Sequence, residues 1–78
     1  MFLTMPLSPI DNSLVGKDAR VTGEIGKDLV GEVAVNVRGA METFYAYADD
    51  PSVTFPEGEI VTIVTYEPPR TVRVVARP

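Results

Sequence analysis

The sequence predicts an all-β domain in which five short strands close into a small barrel. From Leu14 onward apolar residues recur with a period of two, β-branched residues dominate these runs, and Gly, Pro and Asp separate them. No amphipathic helix is long enough to cover an open sheet, so closure is the simplest way to keep the valines out of water. The 78 residues suffice for one domain. We place it at residues 14–78, after a flexible N-terminal tail or linker at residues 1–13.

The first two predicted strands occupy residues 19–25 and 31–37, with a turn at residues 26–28 between them. Because successive side chains of a strand point to opposite faces, one set must point inward. That set is Val21 and Ile25 in the first strand, and Val33, Val35 and Val37 in the second. Gly39 follows as a residue that readily adopts the positive φ of a tight hairpin turn.

The third predicted strand, residues 41–48, carries most of the aromatic residues. Alternation places Phe44, Ala46 and Ala48 on one face and Thr43, Tyr45 and Tyr47 on the other. We assign the phenylalanine face to the interior, because a buried tyrosine hydroxyl would need a hydrogen-bond partner there. Tyr45 and Tyr47 are therefore predicted to lie on the outer surface.

The connection after the third strand contains two turns, at residues 49–52 and 55–58, and is too short for a helix of any length. Two small-barrel plans, the OB-fold and the SH3-like barrel, are compatible with this order of strands. A short connection at this point favours an OB-type barrel without the long helix between strands three and four.

The last two predicted strands are residues 59–67 and 71–77. The fourth strand is β-branched on both faces, which predicts either burial on both sides or a strongly coiled strand. In the fifth strand the inward residues are Val72, Val74 and Ala76. Arg73 then points outward.

Composition argues against an enzyme. The chain has no histidine and no cysteine, which removes the commonest general base and the thiolate ligands of zinc. Seven Lys and Arg against eleven Asp and Glu give a net charge of −4, and nucleic-acid affinity depends largely on cations that neutralise phosphates. We predict a non-catalytic binding module with no cofactor, for which nucleic acid is a poor partner.

Four carboxylates surround the connection between strands three and four: Asp49, Asp50, Glu57 and Glu59. Oxygen ligands at this density are typical of calcium sites, but no spacing resembles an EF-hand loop. Solvated acidic loops are far commoner, so we predict no metal site.

Tyr45, Tyr47 and Arg73 are the predicted partner-contact surface. An exposed aromatic strip on strand three of an OB-fold either stacks nucleic-acid bases or contacts a protein. The acidic neighbours Glu42 and Asp49 favour a protein, and tyrosine is enriched at the energetic centres of protein interfaces.

The order of features from Leu14 onward resembles the C-terminal soluble domain of NfeD-like membrane proteins. The stretches that carry the resemblance are Leu14-Val15-Gly16-Lys17 with Ala19-Arg20-Val21-Thr22, then Gly31-Glu32-Val33, then Gly39 with Phe44-Tyr45-Ala46-Tyr47-Ala48, and finally Phe55 to Val64. Their order and spacing extend over residues 14–77. Asp18 departs from the family pattern, which has a second glycine in the opening motif.

This resemblance implies an OB-like barrel that follows membrane helices absent from this chain. It implies a soluble domain on the cytoplasmic side of a prokaryotic membrane, and assembly with stomatin- or flotillin-type scaffold proteins. Long members of the family also carry a serine protease domain, to which no residue here corresponds. The alternative function is an OB-fold domain that binds single-stranded nucleic acid.

Overall fold

A computed structural model describes residues 14–78, and the predicted tail at residues 1–13 lies outside the described residues. The strands in chain order are β1 (Asp18–Gly23), β2 (Gly31–Val37), β3 (Ala40–Ala48), β4 (Ile60–Glu67) and β5 (Thr71–Ala76). They close into a barrel in the order β1-β2-β3-β5-β4. β3 and β5 run parallel, whereas every other neighbouring pair is antiparallel. The prediction of a five-stranded OB-type barrel is confirmed.

The core of the barrel is built from alternate residues of all five strands. The buried strand side chains are Ala19, Val21, Val33, Val35, Phe44, Ala46, Val61, Ile63, Val72 and Val74. Alternation identified most of the interior correctly, because each of these strands has one face toward the core. The prediction for Ala76 is wrong: it is exposed, since it is the last residue of β5 and lies at the end of the barrel wall.

A two-residue turn joins β2 to β3. Arg38 and Gly39 both have positive φ, 55° and 86°, which is the requirement of a type I′ turn whose twist matches that of the flanking strands. The N–H of Gly39 donates to Oδ1 of Asn36 at 2.9 Å. The predicted turn role of Gly39 is confirmed.

β4 contains an irregularity between Ile63 and Thr65, where its register with β5 shifts. A bulge of this kind bends a strand and increases its twist. Ile60 and Val64 remain exposed on the outer face. Of the two predictions for this strand, burial on both sides is wrong. The bulge agrees with the other prediction, a strongly coiled strand.

Leu14 closes one end of the barrel from outside the strands. Its side chain is fully buried beside Val37, Phe44 and Tyr66. The segment that follows is fixed to β4, because the N–H of Gly16 donates to the carbonyl of Ile63 at 2.7 Å. Leu14 thus belongs to the core although it precedes β1.

The opposite end is closed by Ile25 and Phe55, both of which are buried. Each donates its backbone N–H to the carbonyl of the other, at 3.0 and 2.9 Å. This bridge ties the β1–β2 loop to the β3–β4 connection. Among the described residues the connection contains turns and this bridge but no helix, so the Phe55 ring covers the core at this end.

Three arginines in or next to β5 form ion pairs with neighbouring carboxylates. The pairs are Arg70 with Glu42 at 3.3 Å, Arg73 with Glu67 at 2.8 Å, and Arg77 with Asp18 at 3.6 Å. Exposed pairs of this kind contribute little to stability. Their main consequence is that these cations already have acidic partners on their own surface.

Candidate interaction surface

Tyr45 and Tyr47 lie on the outer face of β3, as predicted from alternation. Their exposed fractions are 60% and 42%. Residues two apart in a strand point the same way and are separated by roughly 7 Å, so the two rings form a short aromatic strip. Exposed tyrosines offer a large, rigid and amphipathic contact area to a partner.

Arg73 lies beside this strip. In the parallel β3–β5 ladder it is the partner of Tyr47, and its guanidinium carbon is 5.7 Å from the centre of the Tyr47 ring. Its Nε donates to Glu67 at 2.8 Å. This hydrogen bond and the charge of Glu67 raise the pKa of Arg73 above its ordinary value. The structure brings the three predicted residues to one surface, and their contact role stays a prediction.

A groove that the sequence did not reveal runs beside Tyr45. We call it the Tyr45 groove, and its lining includes Glu24, Leu29, Val30, Glu32 and Tyr45. Leu29 and Val30 are each 47% exposed in the β1–β2 loop. The sequence signal that could have indicated the groove is the adjacent aliphatic pair Leu29-Val30 between a turn and a strand. Alternation allows only one of two neighbouring side chains to point inward, so at least one of them must be exposed.

Gly31 brings the β1–β2 loop close to the start of β2. A Cβ atom on Gly31 would lie 2.5 Å from the carbonyl oxygen of Gly23 and 2.7 Å from that of Glu24, and would collide with Ile25. Only glycine allows this approach of the two backbones. Because Gly31 is also paired with Ala46 of β3, the loop is held beside the aromatic strip.

The Tyr45 groove has a negative border. Glu24 and Glu32 are exposed, and neither forms an ion pair with any residue from 14 to 78. A phosphate group would be repelled here, whereas a cationic side chain would be attracted. The groove therefore combines apolar walls with an acidic rim.

The acidic connection between β3 and β4 is organised by hydrogen bonds within the chain. Oδ1 of Asp50 accepts from the N–H of Ser52 at 3.0 Å and from its hydroxyl at 2.8 Å. Within residues 14–78 no group of three or more carboxylates is placed to hold a metal ion. The Asp50 carboxylate therefore stabilises the turn through these two hydrogen bonds.

The Asp50 carboxyl is expected to titrate below its ordinary pKa of 3.8. The backbone N–H of Ser52, and then its hydroxyl, lower the pKa because they donate to the ionised form. This stabilisation is complete above the ordinary pKa and is lost as the pH falls through the lower folded pKa. Carboxyl ¹³C NMR measures the midpoint. Ser52→Ala should raise it partway, and a wild-type midpoint at or above 3.8 would contradict the prediction.

Comparison with known proteins adds a family and two similar structures. The sequence profile of the NfeD C-terminal domain matches residues 19–75. One similar structure is the soluble domain of a membrane protein implicated in regulation of membrane protease activity from Corynebacterium glutamicum. It has 31% identity and a TM-score of 0.71, over 87% of this chain and 98% of that one.

The second similar structure is the C-terminal domain of a stomatin operon partner protein from Pyrococcus horikoshii. It shares 23% identity with a TM-score of 0.66, over 87% of this chain and 94% of that one, and supports the fold. No curated protein sequence matches the chain. Within residues 14–78, no helix combines the length and apolar character required to cross a bilayer.

Proposed function

The chain belongs to the NfeD C-terminal domain family, and on that premise we propose that it is a non-catalytic module for assembling membrane proteins. In this proposal its partner is a stomatin- or flotillin-type scaffold. The domain lies on the cytoplasmic side of a prokaryotic membrane, to which helices outside these residues attach it. The names of the two similar proteins, one a membrane protein and the other a stomatin operon partner, support this direction.

The observation that carries the proposal is the exposed strip of Tyr45 and Tyr47 on a closed barrel. The interior is filled by core side chains, so binding falls to the outer surface. The strip continues into the apolar walls of the Tyr45 groove. Neighbouring exposed aromatic and aliphatic side chains are typical of protein interfaces.

Single-stranded nucleic acid is the competing partner, because OB-folds commonly bind it on the face that includes strand three. Here Glu24 and Glu32 border Tyr45, and the whole chain has a net charge of −4. Counterion release, the main source of nucleic-acid affinity, requires cations at the contact. The charge therefore favours a protein.

Replacing Tyr45 and Tyr47 together by alanine is expected to weaken binding to a stomatin-type scaffold protein at least tenfold. Central tyrosines of an interface often contribute about 2 kcal/mol or more each, and about 1.4 kcal/mol corresponds to a factor of ten. Isothermal titration calorimetry with the purified scaffold protein measures the change.

Val64→Ala is the matched control, because Val64 is exposed on β4 and lies outside this surface. It should leave the affinity within about twofold. The proposal fails if the wild-type domain does not bind the scaffold protein, or if the tyrosine variant binds it as well as the wild type does. Binding of oligothymidylate at low salt, with a shift of the Tyr45 amide in NMR spectra, would instead support the nucleic-acid alternative.

A further inference from the structure

We propose that the Tyr45 groove binds a partner segment in which an aliphatic side chain lies next to a lysine or arginine. This inference rests on the proposed function, since it names the chemistry recognised at the same surface. The groove lies between the β1–β2 loop and β3, with Leu29, Val30 and Tyr45 as its apolar lining and Glu24 and Glu32 at its border.

The apolar part of the groove is made of three large side chains that remain in water. Leu29 and Val30 are each 47% exposed and Tyr45 is 60% exposed, and all three line the same depression. Isolated exposed apolar residues are common on protein surfaces, but a contiguous group marks a contact site. An aliphatic side chain of a partner would bury all three at once.

The charged part decides what must accompany that aliphatic side chain. Covering the groove would remove water from Glu24 and Glu32, and a carboxylate that loses water needs a cation or hydrogen bonds in exchange. Two arginines lie near this surface, and each is paired with another carboxylate. Arg70 lines an adjacent depression with Glu32 and Tyr45 but forms its ion pair with Glu42, and Arg73 pairs with Glu67. A cation from the partner therefore completes the site.

Lys27 belongs to the same loop but lies on its other side. It lines a neighbouring depression with Tyr47 and Arg73, and it forms no ion pair with Glu24 or Glu32 in the described part of the chain. The acidic border next to Tyr45 is thus left for an external cation.

A second copy of this chain is a poorer occupant. Each copy has a net charge of −4, so association of two copies through an acidic groove brings like charges together. Strand addition is also unsuitable, because β2 and β3 are already paired with each other from Gly31 and Ala46 to Val37 and Ala40. Recognition must come from side chains.

NMR titration with two matched synthetic peptides tests the inference. One peptide combines leucine, serine and lysine, and the other has glutamate in place of every lysine. With the lysine peptide we expect amide shifts at Glu24, at residues 29–32 and at Tyr45. The glutamate peptide should bind at least tenfold more weakly, and raising the salt concentration should reduce the difference.

The double variant Glu24→Gln with Glu32→Gln should lose most of the preference for the lysine peptide. Both side chains are exposed, so the fold should survive. Glu57→Gln is the control, because Glu57 is an exposed acid in the β3–β4 connection and lies outside the groove. The inference is overturned if neither peptide shifts these amides, if both peptides bind equally, or if the amides shift with the concentration of the domain alone.

Failure of the inference and failure of the proposed function give different results. If a stomatin-type protein binds the wild type and the glutamine variant equally, the proposed function stands and the inference is wrong. If the lysine peptide binds the groove as described but the scaffold protein does not bind, the inference stands and the proposed partner is wrong.

Discussion

Replacing Gly31 by alanine is expected to destabilise the barrel by about 3 kcal/mol or more. The added methyl group would lie 2.5 and 2.7 Å from the carbonyl oxygens of Gly23 and Glu24. Backbone oxygens cannot rotate away as a flexible side chain can, so the ends of β1 and β2 must separate. A domain of this size has roughly 4–10 kcal/mol of total stability. Urea denaturation followed by circular dichroism measures the loss.

Gly26→Ala is the control for this substitution. A Cβ atom on Gly26 would meet only Thr54 and Leu29, at 3.6 Å or more, which is ordinary van der Waals contact. Its backbone conformation is also open to other residues, since its φ is not positive. We expect this variant to remain within about 0.5 kcal/mol of the wild type. Equal losses for the two variants would contradict the close-approach explanation.

The fold could be predicted because the strands follow a local rule. Each has one face toward the core, and residues such as Val33, Val35 and Ile63 reveal that face by their spacing alone. Gly39 marked its turn for an equally local reason, the need for positive φ. Features of this kind depend only on residues close together in the chain, so the sequence alone is sufficient to predict them.

Other features depend on residues distant in the chain. Gly31 is required because the backbone carbonyls of Gly23 and Glu24 approach its Cα too closely for a side chain. Phe55 is buried because it pairs with Ile25 at the end of the barrel. Neither contact leaves a periodic pattern. The outward position of the two tyrosines followed from alternation, whereas the groove beside Tyr45 depends on where a loop folds back.

Stability and the proposed recognition are linked through the β1–β2 loop. Gly31 pairs with Ala46 of β3, the residue between the two tyrosines, and the loop before it carries Leu29 and Val30. The close approach at Gly31 therefore stabilises the barrel and also forms the groove wall. Variants that test recognition should change exposed side chains such as Glu24, and leave the close backbone approach at Gly31 unchanged.

Leu14→Ala is expected to destabilise the domain by about 2–5 kcal/mol, the range for removing a large aliphatic side chain from a core. Leu14 is fully buried although it precedes every strand. It packs at the end of the barrel where Phe44 and Tyr66 meet edge to face, with ring centres 6.1 Å apart. Truncation leaves a cavity that these two rings can fill only by giving up their own packing. Urea denaturation again provides the measurement.

Val15→Ala is the control that separates the loss of the buried Leu14 side chain from a general effect of changing residues before β1. Val15 is the next residue but is 47% exposed, so its truncation should change stability by about 0.5 kcal/mol or less. Leu14→Val, which removes less volume, should fall between the two alanine variants. If Leu14→Ala and Val15→Ala were equally mild, the end of the barrel would have to be closed by Phe44 and Tyr66 alone. The core would then begin at β1, because nothing before Asp18 would contribute to it.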